Sequence, residues 1–257
     1  MPYAEINQIR MYYEKHGRGE PLVLLYGALG AIDAPYGHWA GVKEQLVRCY
    51  QTIEIEHRGH GRTNNSQSKL TYKSVADDLI NFIEGKGLAP VHLGGVSDGA
   101  IVGLYLGMAR PDLVKTLLCL GANYHNDELV IEANRYFDVD RIKRINGKAE
   151  QYAATHDRNK YPGYWRELVR QLAENLVTNP NFRIEDLARI PIPTLLMSGE
   201  KDPYANPQQM IDMRRAIPKS EMLIVNNADH FVQRSHPQII GPVVLDFLER
   251  HANPEGH

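Results

Sequence analysis

Several things are scarce or missing in this chain. Only two cysteines, Cys49 and Cys119, occur in 257 residues, which excludes a disulfide framework. Both lie in or beside apolar stretches, LVRCYQTIEI and KTLLCLG, and both are expected to be buried as small hydrophobes. Neither sign of charge dominates: 29 Lys and Arg against 31 Asp and Glu give a net charge of −2, with no overall pull toward nucleic acid or an anionic membrane. No apolar run is long enough to span a bilayer, and MPYAEINQIRMYY has no basic stretch followed by an apolar core. Membrane insertion is therefore not expected, and a cytoplasmic location is. The spacings H-E-x-x-H, paired Cys/His and G-x-x-x-x-G-K-[ST] are absent, so no metal and no cofactor is expected. There is no internal repeat, and an oligomer is neither indicated nor excluded.

What is present is a globular pattern: 43% hydrophobic and 23% charged residues, enough chain for one large α/β domain or a domain with an insertion. Residues 2–15 alternate and suggest a short antiparallel start. Strands are expected at 22–26, 50–55, 91–96, 114–120, 194–198 and 222–225. Helices are expected at 38–47, 71–85, 98–110, about 207–216 and about 237–251. Strands alternating with helices at these lengths give right-handed βαβ units, hence an α/β fold with a mostly parallel sheet and helices on both faces. Between about 122 and 186 the alternation stops. That stretch carries Tyr124, Tyr136, Tyr152, Tyr161, Tyr164 and Trp165 and ends at Ile190-Pro191-Ile192-Pro193. It reads as a helical cap (122–186) inserted between an N-terminal core part (1–121) and a C-terminal one (187–257). Its aromatics, Trp165 included, suit either a pocket lining or plain packing.

The segment LGGVSDGAIVG, residues 93–103, places Ser97 between glycines where a strand gives way to a helix. Ser is a preferred helix N-cap, which is one reading. The other is a nucleophile on a sharp turn, where glycines remove Cβ atoms that would collide and the helix N-terminus favours developing negative charge. Serine as a nucleophile needs a base, and the base an orienting carboxylate. Strand 194–198 is followed by Glu200 and Asp202, and strand 222–225 by Asp229-His230. Ser97, then Asp202, then His230 thus follow parallel strands at one edge of the sheet, where ligands bind in open α/β folds. Glu200 competes with Asp202 for the orienting role. An oxyanion hole would use the N–H of Asp98, next to Ser97, and one from the loop Tyr26-Gly27-Ala28-Leu29-Gly30, assigned to Ala28.

The stretches YGALG, EHRGHGRT, GVSDG, SGEKDP and NNADH together resemble those of the α/β-hydrolase superfamily over nearly the whole chain. GVSDG, GANYHNDE and SGEKDP are most similar to the biphenyl-hydrolase-like and valacyclovir-hydrolase branch of small capped esterases. The resemblance implies an α/β-hydrolase fold, Ser97 as nucleophile, His230 as general base then acid, and Asp202 as its orienter. It departs from the family at Tyr26, where many relatives have His, at Glu56, where Asp is usual, and at Ala100. Arg58, His60 and Arg62 read as a turn held by its own ion pairs. Asp98 either suits the helix dipole or meets a substrate cation, and Leu29 and Trp165 are further candidates for substrate contact. The expected function is hydrolysis of small carboxylic esters through an acyl-enzyme, on a small-molecule acyl substrate. Rivals are the same triad acting on thioesters, lactones, amides or the C–C bond of a diketone, and a low-turnover receptor on the same frame.

Overall fold

The computed structural model describes residues 2–34, 38–65, 69–126, 132 and 135–252. Eight strands form one sheet: β1 (Tyr3–Ile6), β2 (Ile9–His16), β3 (Pro21–Leu25), β4 (Gln51–Ile55), β5 (Val91–Val96), β6 (Val114–Leu120), β7 (Thr194–Gly199) and β8 (Ser220–Val225), in the order β1-β2-β4-β3-β5-β6-β7-β8. β1 pairs antiparallel with β2, and β2 antiparallel with β4; every later pairing is parallel. The expected architecture holds, with strand ends shifted by a residue or two.

The near-continuous apolar runs of β3, β6 and β7 follow from burial on both faces. Val23, Leu25, Leu117, Cys119 and Leu196 point into one core with Leu79, Phe82 and Leu104 of the helices Tyr72–Gly85 and Asp98–Ala109. Leu22, Leu24, Leu118, Leu120, Leu195 and Met197 alternate into the other, with Leu46, Val244 and Phe247 of the helices Lys43–Val47 and Pro237–Ala252. The period of two along each strand thus sends successive side chains to opposite layers.

Two expectations are corrected. Cys119 is buried, but Cys49 is exposed, because it lies in the turn after a short helix and its side chain faces outward. The helix expected at 38–47 spans only Lys43–Val47. Ahead of it Trp39 is fully buried with its indole Nε1–H on the Leu25 carbonyl at 2.9 Å. Gly41 runs so near the following chain that a Cβ would sit 2.3 Å from the Gln233 carbonyl oxygen. That tertiary anchoring overrides helical spacing.

Between β6 and β7 the described residues form the helices Val139–Arg144, Lys148–His156, Tyr164–Thr178 and Ile184–Leu187 and no further strand beyond an isolated bridge at His125 and Asn181. Part of the expected insertion, residues 127–131 and 133–134, lies outside the described residues. Among the described residues no helix is long and apolar enough to cross a membrane.

The basic run behaves as expected. Arg58 donates through Nε and Nη2 to the two oxygens of Asp78, each at 2.6 Å, with both side chains buried. Arg62 donates from its backbone and guanidinium to Glu56 at 2.6 Å, and Gly61 leaves the room that Glu56 fills. Asp78→Ala would remove the carboxylate that faces the buried Arg58 guanidinium and is expected to cost about 3–5 kcal/mol. Lys73→Ala, which removes an exposed pair with Asp77, is expected to cost under about 0.5 kcal/mol. Urea unfolding of the two variants checks this; similar losses would contradict it.

Candidate active site

Ser97 stands between β5 and the helix Asp98–Ala109 with φ 54° and ψ −121°, a conformation that is uncommon for a residue with a Cβ. The flanking glycines allow it. A Cβ on Gly95 would lie 2.3 Å from the Gly99 carbonyl oxygen, and one on Gly99 would lie 2.8 Å from the Tyr26 carbonyl oxygen. Ser97 occupies the N-cap position, yet its side chain makes no capping hydrogen bond. The capping alternative therefore loses its interaction, and the side chain is instead part of a cavity wall.

That cavity has a volume of about 100 Å³ and is walled by Ser97, Asp98, Ala28, His38 and His230, with Tyr136, Phe137, Leu176, Tyr204 and Phe231 closing its apolar sides. His230 follows β8, and its Nδ1 lies 2.9 and 2.8 Å from the two oxygens of Asp202, which follows β7. Asp202 is itself held: Oδ1 accepts from the N–H groups of Tyr204 (2.8 Å) and Ala205 (2.9 Å), and Oδ2 from Ser198 Oγ (3.1 Å). Glu200 is turned away, its Oε2 accepting from the Asn227 N–H at 2.8 Å. Of the two carboxylates open at the sequence level, Asp202 is the one in contact with the histidine.

Gly121, directly after β6, has φ 62°, and a Cβ there would press to 2.7 Å from Cε1 of His230. The backbone of β6's end thus forms the floor on which the imidazole rests. Sequence reasoning missed this residue, although a glycine closing an apolar strand was visible.

The loop after β3 is anchored through Tyr26, one of the positions at which the resemblance departs. Tyr26 is buried and donates its hydroxyl to Glu54, which also pairs with Lys43. Burial, then the Glu54 charge, pushes the Tyr26 hydroxyl well above its usual range. Its neighbour Gly27 donates its N–H to Nδ1 of His38 at 2.8 Å, and Gln233 Nε2 donates to the His38 carbonyl at 2.8 Å. Because Nδ1 accepts, the His38 ring is neutral with its proton on Nε2. Leu29 takes φ 55°, and its carbonyl meets Nε2 of His156, whose Nδ1 accepts from the Gly61 N–H at 3.1 Å. One imidazole from the segment between β6 and β7 therefore ties the loop after β3 to the loop after β4.

Asp98 is buried and accepts a hydrogen bond from the Tyr72 hydroxyl at 3.0 Å; burial pushes its carboxyl up to about 6. Leu29 lies outside this cavity, in an adjoining one. Trp165 is in neither. It packs in the core, beside Tyr152 and with its backbone N–H on Asp157, because its helical face points inward. Of the two uses open to this aromatic, core packing is the one its burial fits. His38, Tyr72, Tyr204 and Phe231 went unnoticed in the sequence, since no local spacing marks them. Among the described residues the grouping with metal-ligand spacing is Glu14, His16 and Glu54 on the paired strands β2 and β4, none of which lines the cavity, and Lys43 already neutralises Glu54.

A family model described as "Alpha/beta hydrolase family" matches residues 21–240. Among curated proteins, the (E)-2-((N-methylformamido)methylene)succinate hydrolase of Acinetobacter baylyi is 25% identical over 95% of this chain and 95% of its own. Among solved structures, a serine hydrolase involved in carbazole degradation superposes with a TM-score of 0.78 at 21% identity, covering 96% of this chain and 97% of that one. The enol-lactonase of Burkholderia xenovorans gives 0.76 at 18% identity, covering 96% and 100%.

Four histidines around these loops are held neutral by burial: His38 and His57 are pushed down to about 3, His60 to about 4, and His156 well below its usual value. In the unfolded chain each takes its proton near about 6.5. Below that pH the unfolded state binds more protons, so stability is lost as pH falls from 6.5 toward 4, by up to roughly 1.4 kcal/mol per pH unit for each histidine. Asp98, raised to about 6, works the opposite way over part of this window but is one group against four. Urea midpoints measured from pH 7.5 down to pH 5 are expected to fall steadily; a flat series would contradict this.

Proposed function

From its place in the alpha/beta hydrolase family, to which this chain belongs, we propose that it is a serine hydrolase of small carboxylic esters. The observation that carries the reading is the conjunction at one cavity of a strained, uncapped Ser97 with a His230 whose Nδ1 is engaged by Asp202. Asp202 accepts a hydrogen bond from the Nδ1–H of His230 and so keeps the proton on Nδ1, which leaves Nε2 as the basic nitrogen. His230 removes the Ser97 proton as Oγ attacks the ester carbonyl. The N–H groups of Ala28 and Asp98 hold the oxyanion, and the N-terminus of the helix Asp98–Ala109 adds its positive end. The alcohol leaves with the proton from His230, and water activated by the same ring releases the acid.

The carboxyl of Asp98 already has a partner in Tyr72, so in this reading its backbone does the chemistry and no substrate cation is required. The segment between β6 and β7 acts as a cap, its Tyr136, Phe137 and Leu176 limiting the acyl group to a small one. A relative named as an (E)-2-((N-methylformamido)methylene)succinate hydrolase and a solved structure named as an enol-lactonase keep lactones and other bonds as the second reading.

Ser97→Ala is expected to lose at least about a thousandfold in kcat/KM on p-nitrophenyl butyrate, and Asp202→Asn a comparable factor. A fluorophosphonate is expected to label the parent chain at Ser97 alone, as read by peptide mass spectrometry. Labelling without ester turnover would move the reading to the lactone or receptor alternatives. Unchanged turnover in Ser97→Ala would overturn it.

A further inference from the structure

Resting on that reading, we propose that the chamber adjoining the Ser97 cavity is a carboxylate subsite, so that the substrate is an ester of small size bearing an anionic carboxylate held by Lys148 and Arg234. The chamber has a volume of about 110 Å³, and Ala28, His38, Tyr136 and Phe231 wall both it and the Ser97 cavity. A molecule whose ester carbonyl is at Ser97 therefore has a continuous lining to follow past the loop after β3.

The chemistry of this lining is one-sided. Lys148 and Arg234 both contribute to it, while no Asp or Glu is among its described lining residues. Lys148 is half-buried at the start of the helix Lys148–His156, its Nζ 3.3 Å from Gln151 Oε1 and 4.9 Å from the Tyr152 ring. Arg234 lies at the exposed rim, its guanidinium 5.5 Å from the Phe231 ring. Burial first, and then the charge of Arg234, push the Lys148 ammonium below its usual range, so the two cations are near enough to oppose each other. Asp229, which shares the outer surface with Arg234, has Oδ1 engaged by the Phe231 N–H at 3.0 Å. A carboxylate between two like charges relieves their repulsion and makes charge-assisted hydrogen bonds with both. Asp98 walls the first cavity and not the second, which places the substrate's anion away from the protein's own.

The test compares esters that differ only in that charge. One pair is mono-p-nitrophenyl glutarate and its methyl ester, with the carboxylate on the acyl side. The other is 4-butyryloxybenzoate and its methyl ester, with the carboxylate on the alcohol side. In the parent chain kcat/KM is expected to favour the acid in one pair, and that pair tells which side the subsite serves. Lys148→Met and Arg234→Met are each expected to lower the ratio by about tenfold, and the double variant by up to about a hundredfold. Added salt is expected to narrow it. An acid-to-methyl-ester ratio that is the same in parent and double variant, for both pairs, overturns the subsite. If Ser97 is labelled by a fluorophosphonate and the ratios stay flat, the subsite alone fails. If no ester is turned over, calorimetric titration of glutarate into Ser97→Ala, with and without the two methionine substitutions, decides. Binding lost with the methionines supports the subsite, and equal or absent binding overturns it.

Discussion

A serine backbone at φ 54° and ψ −121° is held against its own preference, at a cost on the order of 1–3 kcal/mol. What holds it is close approach. Gly95 lets the strand touch the first turn of the following helix, and Gly99 lets that helix sit against the end of β3. The Ser97 N–H on the Leu120 carbonyl at 2.8 Å adds the end of β6. Three parallel strands therefore meet around one turn, and the position of every other group at the cavity is measured from it.

From that turn the rest follows by strand order. β6 and β7 lie to one side of β5, with β8 beyond, so Gly121, Asp202 and His230 are delivered in sequence along one edge. β3 lies to the other side and delivers Ala28. The loop after β3 is held by side-chain contacts: His38 under Gly27, His156 under Leu29, and Tyr26 on Glu54. The histidines that do this are neutral because they are buried, so the same groups that shape the loop make the fold sensitive to acid.

Much of this was legible in the chain, and the reason is local. A glycine-serine-glycine turn between a strand and a helix, and two acidic or imidazole groups just past later strands, are written in consecutive residues. Tyr26 and Glu56, where the resemblance departs from the family pattern, proved to be accommodated by partners elsewhere: Glu54 for one, the room beside Gly61 for the other. What stayed hidden depends on contacts across long stretches of chain. His38 is recruited by a backbone N–H, Gly121 by the ring it supports, and Tyr72 by a carboxylate of another helix. Cys49 was misread for a related reason, since apolar neighbours in the chain do not say whether a turn residue faces the core or water, and helical spacing alone left packing and pocket lining equally open for Trp165.

The claim on which the mechanism stands is that Ser97, His230 and the loop after β3 act on one carbonyl. A crystal structure of the chain after reaction with a small ethyl fluorophosphonate tests it directly. Phosphorus is expected to be bonded to Ser97 Oγ, with one phosphoryl oxygen within hydrogen-bond distance of the Ala28 and Asp98 N–H groups and Nε2 of His230 beside the bonded oxygen. An adduct on another residue, or a phosphoryl oxygen directed away from both N–H groups, would contradict it.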